Sequence, residues 1–226
     1  MKYEFTNSED GYDLKIYDYI GKYDFGTNEL EEELNKAKGK PLNVYINSYG
    51  GEVFEGFAIY NILKRYEGYK TITVDGIAAS IASVIALSGD KLRMNKASMF
   101  MIHNASSWAY GTADEMDKVV QSLRQINSVI RGIYLEKVNV SEEQLTEMMN
   151  AEKYLTAQEC LDYGFADEII DEEADAEKTD ASMRLFNDSL DKRIKQLRDL
   201  KKVEIPAKEE NKRNQAIKNW LKGEIR

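Results

Sequence analysis

Three stretches of the chain carry residue types that could do covalent chemistry. The first is Ser80, set in Gly76-Ile77-Ala78-Ala79-Ser80-Ile81-Ala82-Ser83 where a β-branched strand gives way to small, helix-compatible residues. A serine at a helix N-terminus sits among free backbone N–H groups and the positive end of the helix dipole. Those features suit a nucleophile whose attack creates an oxyanion, and they suit a helix cap equally well. The second is His103, the only histidine of the chain, at the end of the apolar run Phe100-Met101-Ile102. Imidazole can take a serine proton near neutrality and return it to a leaving amine. Ordinary packing at a strand end would also explain it. The third is Asn47-Ser48-Tyr49-Gly50-Gly51, where paired glycines after a strand allow close backbone approach and an outward N–H. A tight strand-to-helix turn accounts for them as well. A Ser–His pair needs a third, acidic group to fix the imidazole tautomer, and composition cannot choose one among 40 carboxylates.

The elements that must position these residues alternate in type. Leu42–Asn47, Thr71–Val74, Lys91–Met94 and Ser98–Ile102 read as strands. A helix is expected over Val53 to Leu63, and a buried one over the small residues Gly76 to Leu87. Thr112 and Glu115 open a long helix as a capping box, with Met116, Val119, Val120, Leu123, Ile126 and Ile130 as its apolar stripe. Ser141-Glu142-Glu143-Gln144 and Thr156-Ala157-Gln158-Glu159 read as two further capping boxes. The rhythm predicts an α/β domain with a mainly parallel sheet flanked by helices, whose strand ends converge on one edge. No internal repeat is present.

Composition narrows the function classes. The chain has 226 residues, a net charge of −9 and one cysteine, Cys160. An intrachain disulfide is therefore impossible, and a reducing compartment fits. The acidic balance disfavours nucleic acid as a partner. No apolar run reaches the ~18 residues of a membrane span. A lone histidine excludes multi-histidine zinc sites, and the chemistry envisaged needs no metal or cofactor. Charge also divides the chain: residues 1–170 hold 17 basic and 27 acidic side chains, residues 171–226 hold 14 and 13. The run 171–180 lacks large apolar side chains and reads as a linker. Beyond it, Met183, Phe186, Leu190, Ile194 and Leu197 recur at helical spacing. The expected organisation is a globular domain over 1–170 and a charged helical tail over 171–226.

In combination the motifs resemble one family. Val44-Tyr45-Ile46-Asn47-Ser48-Tyr49-Gly50-Gly51-Glu52-Val53, Asp75 to Ser83, Met99 to Asn104 and Ala151 to Glu168 occur in the order found in the proteolytic subunit of the Clp protease (ClpP). The resemblance spans residues 12–170 and is closer still to the ClpP-related head maturation proteases of phages and prophages. It implies the ClpP/crotonase-like fold, with the long helix as the family's handle. It implies a serine endopeptidase with Ser80 as nucleophile, His103 as base, Glu152 as third triad member, and the N–H groups of Gly51 and Ile81 as oxyanion hole. Tyr49 stands where the family usually has proline. Glu152 stands where cellular relatives have aspartate.

The resemblance further implies a protein or peptide substrate bound as an extended strand along the 104–111 loop. A capsid or scaffold protein is one such substrate. Trp108 and Tyr110 become interface aromatics or packing against the handle. The expected assembly is a homo-oligomeric ring, a heptamer or tetradecamer, in the host cytoplasm or the phage procapsid. An AAA+ unfoldase is possible but not favoured. Three alternatives stay open: a host-type ATP-dependent Clp peptidase subunit, a catalytically silent assembly module, and an acyl-CoA enzyme of the crotonase type.

Overall fold

The computed structural model describes residues 2–8, 11–21 and 27–170. The linker and helical tail expected over 171–226 lie outside the described residues. The elements run β1 (Lys2–Ser8), β2 (Gly11–Tyr17), α1 (Thr27–Ala37), β3 (Leu42–Ser48), α2 (Val53–Arg65), β4 (Lys70–Ala79), α3 (Ile81–Ala86), β5 (Lys91–Asn95), β6 (Met99–Ile102), α4 (Ala113–Leu135), α5 (Glu142–Asn150), β7 (Lys153–Thr156), α6 (Ala157–Asp162) and β8 (Glu168–Ile170). Strand order is β1-β2-β3-β4-β5-β8, with β6 on β4 and β7 on β6. The β1–β2 and β6–β7 pairs are antiparallel and the other pairs are parallel. The mainly parallel α/β sheet with a long helix is thus the observed architecture, and β1, β7 and β8 are strands that the sequence reading did not find.

Alternation along the strands builds the core. Leu14 and Ile16, Leu42, Val44 and Ile46, Ile72 and Val74, and Leu92 and Met94 are all buried. They join Leu30 and Leu34 of α1 and Ile59 and Leu63 of α2 in one apolar cluster. The intervening residues make a polar face. Asn43 Nδ2 donates to Asp13 Oδ1 at 2.9 Å, and Asp75 accepts from Tyr17 and from Asn95 Nδ2, the latter at 2.9 Å. Burial pushes the Asp75 carboxyl up, and those two hydrogen bonds oppose it.

The strand expected over Thr71–Val74 is longer than its β-branched run, and the expected helix from Gly76 is shorter. β4 continues to Ala79, and α3 covers only six residues. Backbone pairing overrides local composition here. The β3–β4 register shifts between Ile46 and Ser48, after which Ser48 faces Ala78. The Asn47 side chain fills the jog, accepting from the Ile77 N–H at 3.3 Å. Past it, Ile77, Ala78 and Ala79 pair with Met99, Phe100 and Met101 of β6. The small residues therefore extend a strand into the sheet's second half.

Capping boxes stand at Thr112/Glu115 and Thr156/Glu159. At α5 only half the expected box is found: Ser141 Oγ accepts from the Gln144 N–H at 3.2 Å. The long helix differs from a core-facing amphipathic one. Of its 23 residues only Ile130 and Tyr134 are buried, while Met116, Val120 and Val129 are exposed. Its N-terminal part projects beyond the core and its C-terminal part anchors it. No helix among the described residues is long and apolar enough to cross a membrane.

Candidate active site

Parallel pairing of β4 with β6 brings two distant residues together. Ser80 directly follows β4, and His103 directly follows β6. The Ser80 N–H donates to the Met101 carbonyl at 2.9 Å, which locks the end of one strand to the other. Ser80 Oγ and His103 Nε2 then lie 2.7 Å apart. An unprotonated Nε2 in that position accepts the hydroxyl proton.

Ser80 occupies the N-cap position of α3 without making a side-chain cap. Its backbone has φ 56° and ψ −128°, a region that side chains other than glycine adopt only at a cost. The strained turn lifts Oγ away from the helix N-terminus and towards the imidazole. The sequence left cap and nucleophile open, and the hydroxyl's partner is the ring.

His103 is half-buried. Burial depresses its pKa, and the Glu152 charge opposes that in part. Glu152 reaches this position through the β6–β7 ladder. Ile102 pairs with Lys153 antiparallel, so the next rung sets His103 opposite Glu152. Glu152 has φ 51° and donates its N–H to the Met149 carbonyl at 3.2 Å, a turn that closes α5. Its side chain is exposed. Among the described residues no hydrogen bond joins the carboxylate to the ring. The structure therefore brings Ser80 and His103 into direct contact and leaves Glu152 beside them.

The Gly50-Gly51 turn is built by three hydrogen bonds. Gly50 N–H donates to Ser48 Oγ at 3.1 Å. Ile20 N–H donates to the Gly50 carbonyl at 2.9 Å, and Glu52 N–H donates to the Ile20 carbonyl at 2.7 Å. Among the described residues the Gly51 N–H has no such partner. Gly50 has φ 92°, and a Cβ there would lie 2.7 Å from Ser80 Cβ and 3.1 Å from Ile81 N. The glycine turn thus packs directly on the serine turn. The Ile81 N–H, first in α3, is one of the orphan donors of a helix start. Unsatisfied backbone donors beside a hydroxyl can hold a developing oxyanion.

The 104–111 segment borders the same region. Asn104 Nδ2 donates to Asn150 Oδ1 at 2.8 Å, and the Ala105 N–H donates to Asn127 Oδ1 at 2.7 Å. The segment after His103 is thereby tied to both α5 and α4. Trp108 and Tyr110 are 87% and 88% exposed, which removes packing against the helix as their role. An open groove of about 320 Å³ runs between this segment, Val53 and Phe54 of α2, and Leu123 and Ile126 of α4. Sequence reasoning missed Asn127 and Asn150 and the buried Ser83 and Tyr134. The polar Ser83 within the apolar run Ile81 to Ala86 was the available signal.

A family model described as Clp protease matches residues 30–173. The chain is 28% identical over 153 residues to the ATP-dependent Clp protease proteolytic subunit of Bacteroides fragilis, covering 65% of this chain and 74% of that protein. It is 28% identical over 133 residues to the protein of the same description from Deinococcus radiodurans, covering 58% of this chain and 65% of that one.

Proposed function

Because the chain belongs to the Clp protease family, we propose that it is a serine endopeptidase whose reacting groups are Ser80 and His103. The observation that carries the reading is the 2.7 Å contact between Ser80 Oγ and His103 Nε2. Ser80 Oγ attacks the carbonyl carbon of a peptide bond while Nε2 takes its proton. The carbonyl oxygen becomes an oxyanion held by the Gly51 and Ile81 N–H groups. The imidazolium returns the proton to the leaving amine, which departs and leaves an acyl-serine. Water, deprotonated by the same nitrogen, hydrolyses the ester and restores the hydroxyl. Glu152 favours the imidazolium through its charge. The groove beside Val53 and Ala105 is the proposed seat of an extended substrate strand.

In the narrower reading the substrate is a capsid or scaffold protein of a phage, and the enzyme works as a ring of identical subunits. Glu152, a glutamate where cellular relatives have aspartate and phage-type relatives often have glutamate, supports the first part. The exposed apolar side chains Met116, Val120 and Val129 on α4 support the second. The names of the Bacteroides fragilis and Deinococcus radiodurans relatives favour a second reading, an ATP-dependent peptidase subunit.

A fluorophosphonate probe tests the core of the proposal. Labelling is expected at Ser80 in the intact chain, and it should vanish in Ser80→Ala and His103→Ala. Intact assembled protein that is neither labelled nor able to cleave a peptide would overturn it. Cleavage of a capsid or scaffold protein without ATP supports the phage reading. Degradation only with an ATPase and ATP supports the other.

A further inference from the structure

Ser83 sits where the sequence of α3 calls for an apolar residue, and it is fully buried. A buried hydroxyl needs partners. Ser83 Oγ lies 2.5 Å from the Ser80 carbonyl oxygen and 2.7 Å from the Tyr134 hydroxyl. Proton counting fixes the direction of this chain. A carbonyl can only accept, so the one Ser83 proton goes to Ser80, and the Tyr134 O–H must donate to Ser83. Tyr134, near the C-terminus of α4, is itself buried and meets Phe165 edge-on, with centroids 5.7 Å apart. Burial raises its pKa, so it keeps its proton across the working pH range. The Ser83 N–H supplies a second bond to the Ser80 carbonyl at 3.0 Å.

The carbonyl held in this way belongs to the Ser80–Ile81 peptide. That unit is planar and trans, so its C=O and N–H point to opposite sides. Fixing the Ser80 carbonyl fixes the direction of the Ile81 N–H. The restraint matters because Ser80 has φ 56° and ψ −128°, values the chain would relax from if released.

We propose that Ser83 and Tyr134 are positioning residues, which aim the Ile81 N–H at the oxyanion by holding the opposite edge of the same peptide. The inference rests on Ser80 being the nucleophile, as proposed above. Through it α4 governs the reacting centre from two sides, with Tyr134 behind the nucleophile and Asn127 at the segment after His103.

The test uses the full chain, a short fluorogenic peptide and a peptide boronate, which forms a tetrahedral adduct on a serine oxygen. A misaimed donor weakens the transition state and not ground-state binding. Losing an oxyanion donor outright costs about 100-fold or more in kcat. Misaiming one costs less: kcat should fall about 10- to 30-fold in Ser83→Ala and about 3- to 10-fold in Tyr134→Phe. KM should stay within about twofold, and boronate affinity should fall by the same factor as kcat. The double variant should be no slower than Ser83→Ala, since both act through one chain of bonds. Ser83→Thr, which keeps the hydroxyl, should recover most of the rate. The inference is overturned if wild-type turns over and both single variants keep kcat and boronate affinity within twofold. Independent, multiplying losses would overturn it too. Should Ser83→Ala fail to fold, Tyr134→Phe decides alone. Wild-type protein with neither turnover nor fluorophosphonate labelling would instead sink the peptidase reading, and this inference with it.

Discussion

The strained backbone of Ser80 allows a comparison in which stability and activity separate. Replacing Ser80 by alanine removes the 2.7 Å contact with His103 and keeps the side-chain penalty at φ 56°. Replacing it by glycine removes the same contact and relieves that penalty. The lost hydrogen bond, worth about 1 kcal/mol, cancels between the two variants. What remains is the strain, about 1–3 kcal/mol, less the extra unfolded-state entropy of glycine, about 0.4–1 kcal/mol. Ser80→Gly should therefore be more stable than Ser80→Ala by about 0.5–2 kcal/mol. For a domain of this size that is about 2–6 °C in melting temperature. Both variants should be inactive. Urea and thermal unfolding at one fixed protein concentration read the difference, since any self-association adds stability by mass action. An alanine variant as stable as the glycine variant would refute the argument that the serine turn is held under strain.

Two further predictions concern the other parts of the site. In Gly51→Ala the new methyl would lie 1.9 Å from the Ile20 carbonyl oxygen, so the turn must back away and release the bonds that Ile20 makes to Gly50 and Glu52. Peptide hydrolysis should fall by about 100-fold or more, and near-normal turnover would remove Gly51 from the oxyanion site. The pH dependence of kcat/KM reads His103. The base must be neutral and burial depresses its pKa, so activity should rise with pH through an apparent value below the ordinary 6.5. The Glu152 charge raises that value, so Glu152→Gln should move the acid limb to lower pH. The accompanying kcat loss should be nearer about tenfold than the ~10⁴ that follows loss of a directly bonded orienting carboxylate. An unmoved acid limb would show that Glu152 does not act on the ring.

Much of the architecture was legible because hydrophobic alternation and capping are local signals. β3, β5 and β6 fall within a residue of where their apolar runs place them, and Thr112 and Thr156 begin their helices as capping chemistry requires. The reach of β4 was not legible. Gly76, Ala78 and Ala79 carry little strand propensity, and pairing of Ile77–Ala79 with Met99–Met101 makes the segment extended. The exposure of most of α4 was also hidden, because an apolar stripe looks the same whether it meets a core or projects from one. At the site, the types Ser80 and His103 were readable, but their contact arises from a parallel register that no local pattern contains. Ser83 and Tyr134, 51 residues apart, meet only through packing.

Twenty-three positions separate Ser80 from His103 along the chain, yet what joins them is a ladder three rungs long, from Ile77–Ala79 to Met99–Met101. Distance along the sequence is thus irrelevant to their alignment. The exposed turn positions Lys96 and Ala97 can change in composition without blunting the reaction. One methyl group inserted between the rungs cannot be accommodated so cheaply. Variation in this protein should therefore collect in the connectors and be scarce along six residues of extended backbone that take no part in the chemistry themselves.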